Sequence, residues 1–476
     1  MATIPLSRLH PKSIAAVLLA GLVLAWPAFW SGYPMVFSDS ASFLGVMNPW
    51  GQHWARPIFY SLALIPFTLN LTLWPAVILQ GLVMAHLLWL TLRVVGGGPV
   101  RPGSYAGLVA LVAVGSSLPW YVGQIMPDVL APATILCAFL LGFGEERIGR
   151  WERLWLTALL ALCVASHLSH LPLAAGLLIC VAGLRLVTRM KGGHALALLP
   201  MAVAIAGAVS AHLAVNTLVR GHVTLSPSGP IFMLARSIAD GPAEAYLQEV
   251  CPQAGYKLCA YKDQLPDNAD VFLWKQWSPL WDVAGWRERP QTQTAAGIDY
   301  QPEAQAILDG TFERHLGWQI RAGIGNAIAQ FGMNRTGDGL RQWGEEVSVS
   351  KRIKEVFPSE YDSWTSSRQF RGELGLDRVN ALHQLLLPLA ALAAVGLAVF
   401  LASPRYRLFV AVVALGILGN NIVMGAISGP HDRYGSRVAC MAVLAAGVGL
   451  CLARRREETV EAGSRVDRDQ ILVPTS

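Results

Sequence analysis

Pro57-Ile-Phe-Tyr-Ser-Leu-Ala-Leu-Ile-Pro-Phe-Thr-Leu-Asn-Leu-Thr-Leu-Trp-Pro-Ala-Val-Ile-Leu-Gln-Gly-Leu-Val-Met-Ala-His-Leu-Leu-Trp-Leu-Thr-Leu-Arg93 carries no Lys, Arg, Asp or Glu before its last residue. About twenty apolar residues in a helix cross ~30 Å of hydrocarbon, so this run is too long for one crossing. Two crossing helices would leave Arg93 and Arg101 outside. A short helix along the outer surface, Pro57 to about Asn70, followed by one crossing from about Leu73 to Leu92, puts both arginines in the cytoplasm. Pro66 and the Leu69-Asn-Leu-Thr72 interruption support that division. The second reading is preferred because every later segment then obeys the positive-inside rule.

The rest of the chain follows from it. Of 476 residues, 53% are hydrophobic and 14% charged, with a mean hydropathy of +0.43. A soluble domain is about a quarter charged. Apolar blocks of crossing length recur, and no alternating strands appear, which excludes a β-barrel. The expected fold is an all-α polytopic membrane protein of about ten transmembrane helices. Both termini are cytoplasmic. Residues 1–215 form an N-terminal module of about seven helices, with a first external loop at 31–72. Residues 216–380 form a mainly helical extracytoplasmic domain, residues 381–455 three further helices, and residues 456–476 a disordered cytoplasmic tail. A net charge of +6 does not point to nucleic acid, since many of the basic residues sit in short gaps between apolar blocks.

Within the hydrophilic stretch, 302–331 reads as one or two amphipathic helices, with Ile307, Leu308, Phe312, Leu316 and Ile320 on related faces. Trp274, Trp277, Trp281 and Trp286 build a small core or rest on the lipid interface, or else offer a sugar-stacking platform. Cys251 and Cys259 can close a short disulfide loop if this stretch is extracytoplasmic. The other five cysteines lie in apolar blocks as packing residues.

The polar groups gather in the external turns. Asp39, in Ser38-Asp39-Ser40, follows the first crossing, with His53 and Arg56 behind it. Asp128 follows the third, His167 and His170 the fifth, and His431-Asp432-Arg433-Tyr434 with Arg437 the ninth. Ionisable groups at a membrane cost roughly 2.5–3.5 kcal/mol on insertion scales, so they need partners or work to do. Asp39 fits a helix N-cap as well as a general base or metal ligand. Asp128 equally fits a helix start. Arg433 can pair with Asp432, or its fork can hold a phosphate.

This layout resembles the GT-C superfamily of membrane glycosyltransferases. Asp39 after the first helix, Asp128 in Met-Pro-Asp-Val-Leu, Arg433-Tyr434 opening a late helix and a large hydrophilic domain all match its pattern. The resemblance implies a polyprenyl-phosphate-linked sugar as donor, membrane lipid around it, and a glycan, lipid or protein acceptor at the outer face of a bacterial inner membrane. Asp39 would be the base and Asp128 a second catalytic acid. His53, Arg56, His431, Arg433, Tyr434 and Arg437 would bind substrate and phosphate. Many members carry paired acids in the first loop. Here a single acid stands between serines, so a divalent metal is not favoured, no cofactor is assigned, and metal-independent inverting transfer is expected. A lipid or solute transporter or flippase, and a non-catalytic scaffold with an external binding domain, are the competing readings. A transporter would show ionisable or unwound segments at mid-membrane; no Gly-x-Ser-x-Gly, His-Glu-x-x-His or P-loop pattern is present.

Overall fold

The computed structural model describes residues 11–47, 55–188, 194–287, 300–401 and 403–471. All regular elements among them are helical, apart from one isolated bridge between Met35 and Gln124. The first part runs α1 (Pro11–Leu24), α2 (Trp26–Ser31), α3 (Ser40–Met47), α4 (Phe59–Thr68), α5 (Trp74–Gly96), α6 (Pro102–Gly115) and α7 (Leu118–Val122). It continues through a 3-10 turn (Pro127–Val129) to α8 (Leu130–Phe143), α9 (Arg150–Ser166), α10 (His170–Val187) and α11 (His194–Arg220). The hydrophilic stretch holds α12 (Gly229–Ala239), α13 (Pro242–Val250), α14 (Ala269–Trp274), α15 (Pro279–Val283), α16 (Gln301–Phe331), α17 (Ser348–Val356), α18 (Tyr361–Thr365) and α19 (Arg368–Arg371). The chain closes with α20 (Leu376–Phe400), α21 (Pro404–Val423), a π turn (Met424–Ser428) and α22 (Asp432–Ile471).

Six described helices are long and apolar enough to cross a membrane: Trp74–Gly96, His170–Val187, Ala197–Val219, Leu376–Phe400, Pro404–Ser428 and Asp432–Glu457. That corrects the expected ten. The other four expected crossings fall on helices that stop short. α1 ends before Ala25, and the chain restarts as α2 with Pro27 in its first turn. α6 stops at Ser116, whose backbone is extended. α8 is entered from an extended Met126 through Pro127, and α9 ends at an extended His167. Counting apolar residues runs across these breaks, whereas a helix does not.

The short helix expected after Pro57 is present as α4, which Leu69 and Asn70 end with positive φ of 50° and 53°. α1 and α5 meet through two glycines. A Cβ on Gly81 would stand 2.3 Å from the Gly21 carbonyl oxygen, so only glycine permits that approach.

The hydrophilic stretch divides in two. Ile231, Leu234, Phe272, Leu280, Trp281, Trp286, Tyr300, Ile307 and Leu308 form a core of their own. Trp274 packs at its margin and Trp277 is exposed, so two of the four tryptophans build that core and a third packs on it. Cys251 and Cys259 are disulfide-bonded beside it. Trp343, Val349, Ile353, Phe357 and Trp364 instead join the main core, with α17 lying on α3. α16 is continuous but kinked at His315, where φ is −122° and ψ 21°. The kink rotates the helix face: Ile307 and Leu308 are buried, whereas Leu316 and Ile320 are exposed. The single related face expected for these residues therefore ends at the kink.

Candidate functional site

The site is built by stitching the first loop onto the turn after α7. Met35 N–H donates to the Gly123 carbonyl and Ile125 N–H to the Met35 carbonyl, both at 2.9 Å. The Ser40 hydroxyl donates to the Ile125 carbonyl at 2.8 Å. Asp39 and Asp128 are thereby brought to the same end of the helix bundle. Gln369, in α19, clasps Val36: Val36 N–H donates to Oε1 at 2.9 Å, and Nε2 donates to the Val36 carbonyl at 2.6 Å. Glu360 accepts from Tyr33 Oη (3.0 Å), Thr72 Oγ1 (2.6 Å) and Leu73 N–H (3.1 Å), holding both ends of the loop.

α22 then supplies the cations. Arg433 Nη1 lies 3.3 Å from Asp39 Oδ2, and its Nε lies 3.4 Å from Asp128 Oδ1 as an ion pair without hydrogen-bond alignment. Arg437 Nη1 is 3.2 Å from the same Asp128 oxygen. One turn of helix separates Arg433 from Arg437, so both reach Asp128 from one face. Arg56 Nη2 is 2.6 Å from Asp39 Oδ2. The order is Arg56, Asp39, Arg433, Asp128, Arg437, three guanidiniums and two carboxylates, and a third carboxylate stands beside them, Asp338 Oδ2 accepting from the Arg433 N–H at 3.0 Å. Asp39 stands just before α3 and Asp128 lies in the 3-10 turn that leads into α8, so both also occupy helix-start positions.

Side-chain exposure grades the row. Arg56 is 17% and Asp39 16% exposed, Arg433 6%, Arg437 1% and Asp128 0%. The Asp39–Arg56 end is reachable; the Asp128–Arg437 end is the floor. Arg56 Nε and Asp128 Oδ2 have no hydrogen-bond partner among the described residues, so the row has unused donor and acceptor capacity. Burial raises the proton affinity of Asp39, but the Arg56 and Arg433 guanidiniums outweigh it and hold the carboxyl below the usual carboxylate range.

Aromatic faces line the cations. The Arg433 guanidinium lies 4.4 Å from the Phe37 ring centroid and 5.1 Å from that of Tyr434. Arg437 lies 5.5 Å from the Tyr434 centroid. Arg56 stands 6.0 Å from both Phe232 and Trp274, which ties the site to the separate core of the hydrophilic stretch. Beside Arg56 lies a small recess lined by Ile58, Phe59, Leu168, His212, Asn216 and Ser228 among others. A second small recess, between Ser116, Thr336, His383 and Cys440, includes none of the five charged residues.

Of the residues expected from sequence, Asp39, Asp128, Arg56, Arg433, Tyr434 and Arg437 come together. His431 sits at the margin, with its ring against Tyr434 and Nε2 3.4 Å from Asp270. His53 lies outside the described residues. His167 is bonded through Nδ1 to the Ser169 hydroxyl, which also accepts from Arg437 at 3.2 Å. Burial, then His170 and Arg437, hold the His167 ring well below the usual histidine range, so it is neutral. No group of three or more His, Cys, Asp or Glu placed to hold a metal ion occurs among the described residues.

Sequence reading missed Asn420. Its Oδ1 accepts from Arg437 Nε (3.1 Å) and Nη2 (2.8 Å), while Nδ2 donates to the Tyr434 carbonyl at 2.8 Å. The signal was present: Asn420-Asn421 is a polar pair inside an apolar helix, which needs a partner there. Tyr121 was also missed; its hydroxyl donates to the Arg433 carbonyl at 3.0 Å and fixes the start of α22. Comparison with protein-family models, with curated proteins and with solved structures finds no match.

Proposed function

We propose that the chain is a membrane glycosyltransferase of the GT-C kind. It would move a sugar from a polyprenyl-phosphate donor to an acceptor at the outer face of a bacterial inner membrane. The observation that carries this reading is the row of three arginines over two aspartates, partly open at its Asp39–Arg56 end and set beside a small recess of mixed polar and apolar lining. A leaving lipid phosphate gains negative charge as the glycosidic bond breaks, and cations fixed in advance stabilise that charge. Arg56 and Arg433 are the groups an incoming phosphate can reach. Arg437, held by Asn420 and Ser169, fixes Asp128, and Asp128 positions Arg433 from beneath.

Asp39 is the base in this reading. With both guanidiniums on it, it is a weak one. A donor phosphate competes for Arg56 and Arg433. As they turn to it, Asp39 loses the charges that lower its proton affinity and becomes able to take the acceptor hydroxyl's proton. The base is thus activated by the donor, and solvent finds it inert.

The test is sugar transfer by purified protein in lipid nanodiscs, supplied with a panel of polyprenyl-phosphate hexoses and pentoses and envelope lipids or glycans as acceptors. Transfer with inversion at the anomeric carbon is expected. Movement of intact donor across the bilayer of a sealed vesicle, with the phosphate–sugar bond unbroken, would support a transporter instead.

A further inference from the structure

After its kink, α16 reads Leu316-Gly-Trp-Gln-Ile-Arg-Ala-Gly-Ile-Gly-Asn-Ala-Ile-Ala-Gln-Phe331, with Arg321 the one charged residue. Before the kink the same helix carries Glu303, Asp309, Glu313 and Arg314 and buries Ile307 and Leu308 in the core of the hydrophilic stretch. Beyond it, Ile320, Ile324 and Ile328 are 54%, 57% and 68% exposed, and Leu316, Trp318 and Phe331 are exposed with them. Leu316, Ile320, Ile324 and Ile328 recur every four residues, one face of a helix.

The buried face that adjoins this stripe says where this half-helix lies. It carries Gly323 and Ala327, small residues four apart, against the π turn that ends the Pro404–Ser428 crossing. A Cβ on Gly425 would stand 2.7 Å from Ala327 Cα, and one on Gly323 would meet Ala426 at 3.7 Å. Close contact through small residues is how helices pack in a bilayer. The crossing it packs on exposes Leu418, Ile422 and Ile427 near the same end. The apolar stripe of α16 therefore continues the lipid-facing surface of an established crossing.

We infer that Leu316–Phe331 is a lipid-embedded half-helix, lying in the outer boundary of the bilayer with its isoleucine stripe in hydrocarbon. Sixteen residues of helix reach about 24 Å, short of a crossing. Trp318 suits the headgroup level, and Arg321 can extend its stem so that its charge stays at the headgroups. The half-helix also reaches the site. Gln330 Oε1 accepts from His431 N–H and Gln330 Nε2 donates to the His431 carbonyl, both at 2.9 Å. The bilayer thereby sets the depth of the turn that carries Arg433. None of this depends on the glycosyltransferase reading.

The experiment places single nitroxide labels on Ile320→Cys, Ile324→Cys and Ile328→Cys, with Asp309→Cys and Glu313→Cys as controls. The full chain is reconstituted in phosphatidylethanolamine–phosphatidylglycerol vesicles, with the partly exposed Cys180 and Cys451 replaced by alanine. All five labels sit at exposed or charged positions, so the fold is retained. Collisions with dissolved oxygen are expected to exceed collisions with a water-soluble nickel chelate at the three isoleucine positions, with the reverse at the controls. Nickel access at the isoleucine positions would overturn the inference by placing the stripe in water. Exclusion of both reagents would also overturn it, with dipolar broadening identifying a second copy of the chain as the cover and its absence an intramolecular one.

Discussion

The Arg433 guanidinium stands 3.3 Å from Asp39 Oδ2, joining residues 394 positions apart. The first loop and the start of the last helix are thereby fastened at a single point, and Arg433 passes the connection on to Asp128.

Arg433→Ala leaves Asp39 with Arg56 and Asp128 with Arg437. Removing one member of a buried ion pair costs about 3–5 kcal/mol, because the remaining charge stays desolvated. A clear fall in the thermal midpoint of the detergent-solubilised protein is expected. Arg433→Lys should recover only part of it, since an ammonium cannot reach both carboxylates as the guanidinium does. An unchanged midpoint in the alanine variant contradicts the geometry.

The Asp39 carboxyl is held below its usual range, which sets a pH dependence with a definite sign. An unfolded aspartate titrates near ~3.9, and the folded group lower. Its ionised form therefore contributes stability above about pH 4, and the contribution is lost as pH falls through the folded value. Chemical unfolding of wild type and Asp39→Asn, compared from about pH 6 down to about pH 2, should show a difference that is full at the higher pH and shrinks below about pH 4. A constant difference would mean that Arg56 and Arg433 do not hold the charge.

Gln369 is wholly buried and uses both ends of its amide on Val36. Gln369→Glu turns the donor toward the Val36 carbonyl into an acceptor. A buried carbonyl left without its donor costs about 1–3 kcal/mol. The variant should lower the midpoint and speed protease cleavage within the first loop. Equal cleavage rates would show that the loop is held elsewhere.

Gly81→Val forces a side chain into the Gly21 carbonyl, where overpacking costs about 1–3 kcal/mol. Gly103→Val, in α6 with open space around it, is the matched control. Loss of folded protein after detergent extraction is expected for the first and not for the second.

The crossings were legible because apolar length is a local property, readable from composition alone. The shortfall from ten arose where Ala25, Ser116 and Met126 leave the helical region, a backbone event that hydropathy does not record. Asp39, Asp128, Arg56, Arg433 and Arg437 were legible as charged residues in turns expected on one side of the membrane, and they meet at one end of the helix bundle. Their order in the row was not, because it depends on the Met35–Gly123 pairing and on Gln369, far away in sequence. The kink at His315 was equally silent: nothing in the residue pattern marks the turn at which the buried face of α16 rotates away.

Release of polyprenyl phosphate from a polyprenyl-phosphate sugar in proteoliposomes supplied with envelope lipids and glycans as acceptors, by wild type and by Asp39→Asn, tests the central claim most directly. A positioned general base contributes roughly 10²–10⁴-fold. Wild type is predicted to release the lipid phosphate, with Asp39→Asn slower by at least ~100-fold while it remains folded. Equal release by the two proteins, or no release by wild type from any hexose or pentose donor with any of the acceptors, would contradict the account.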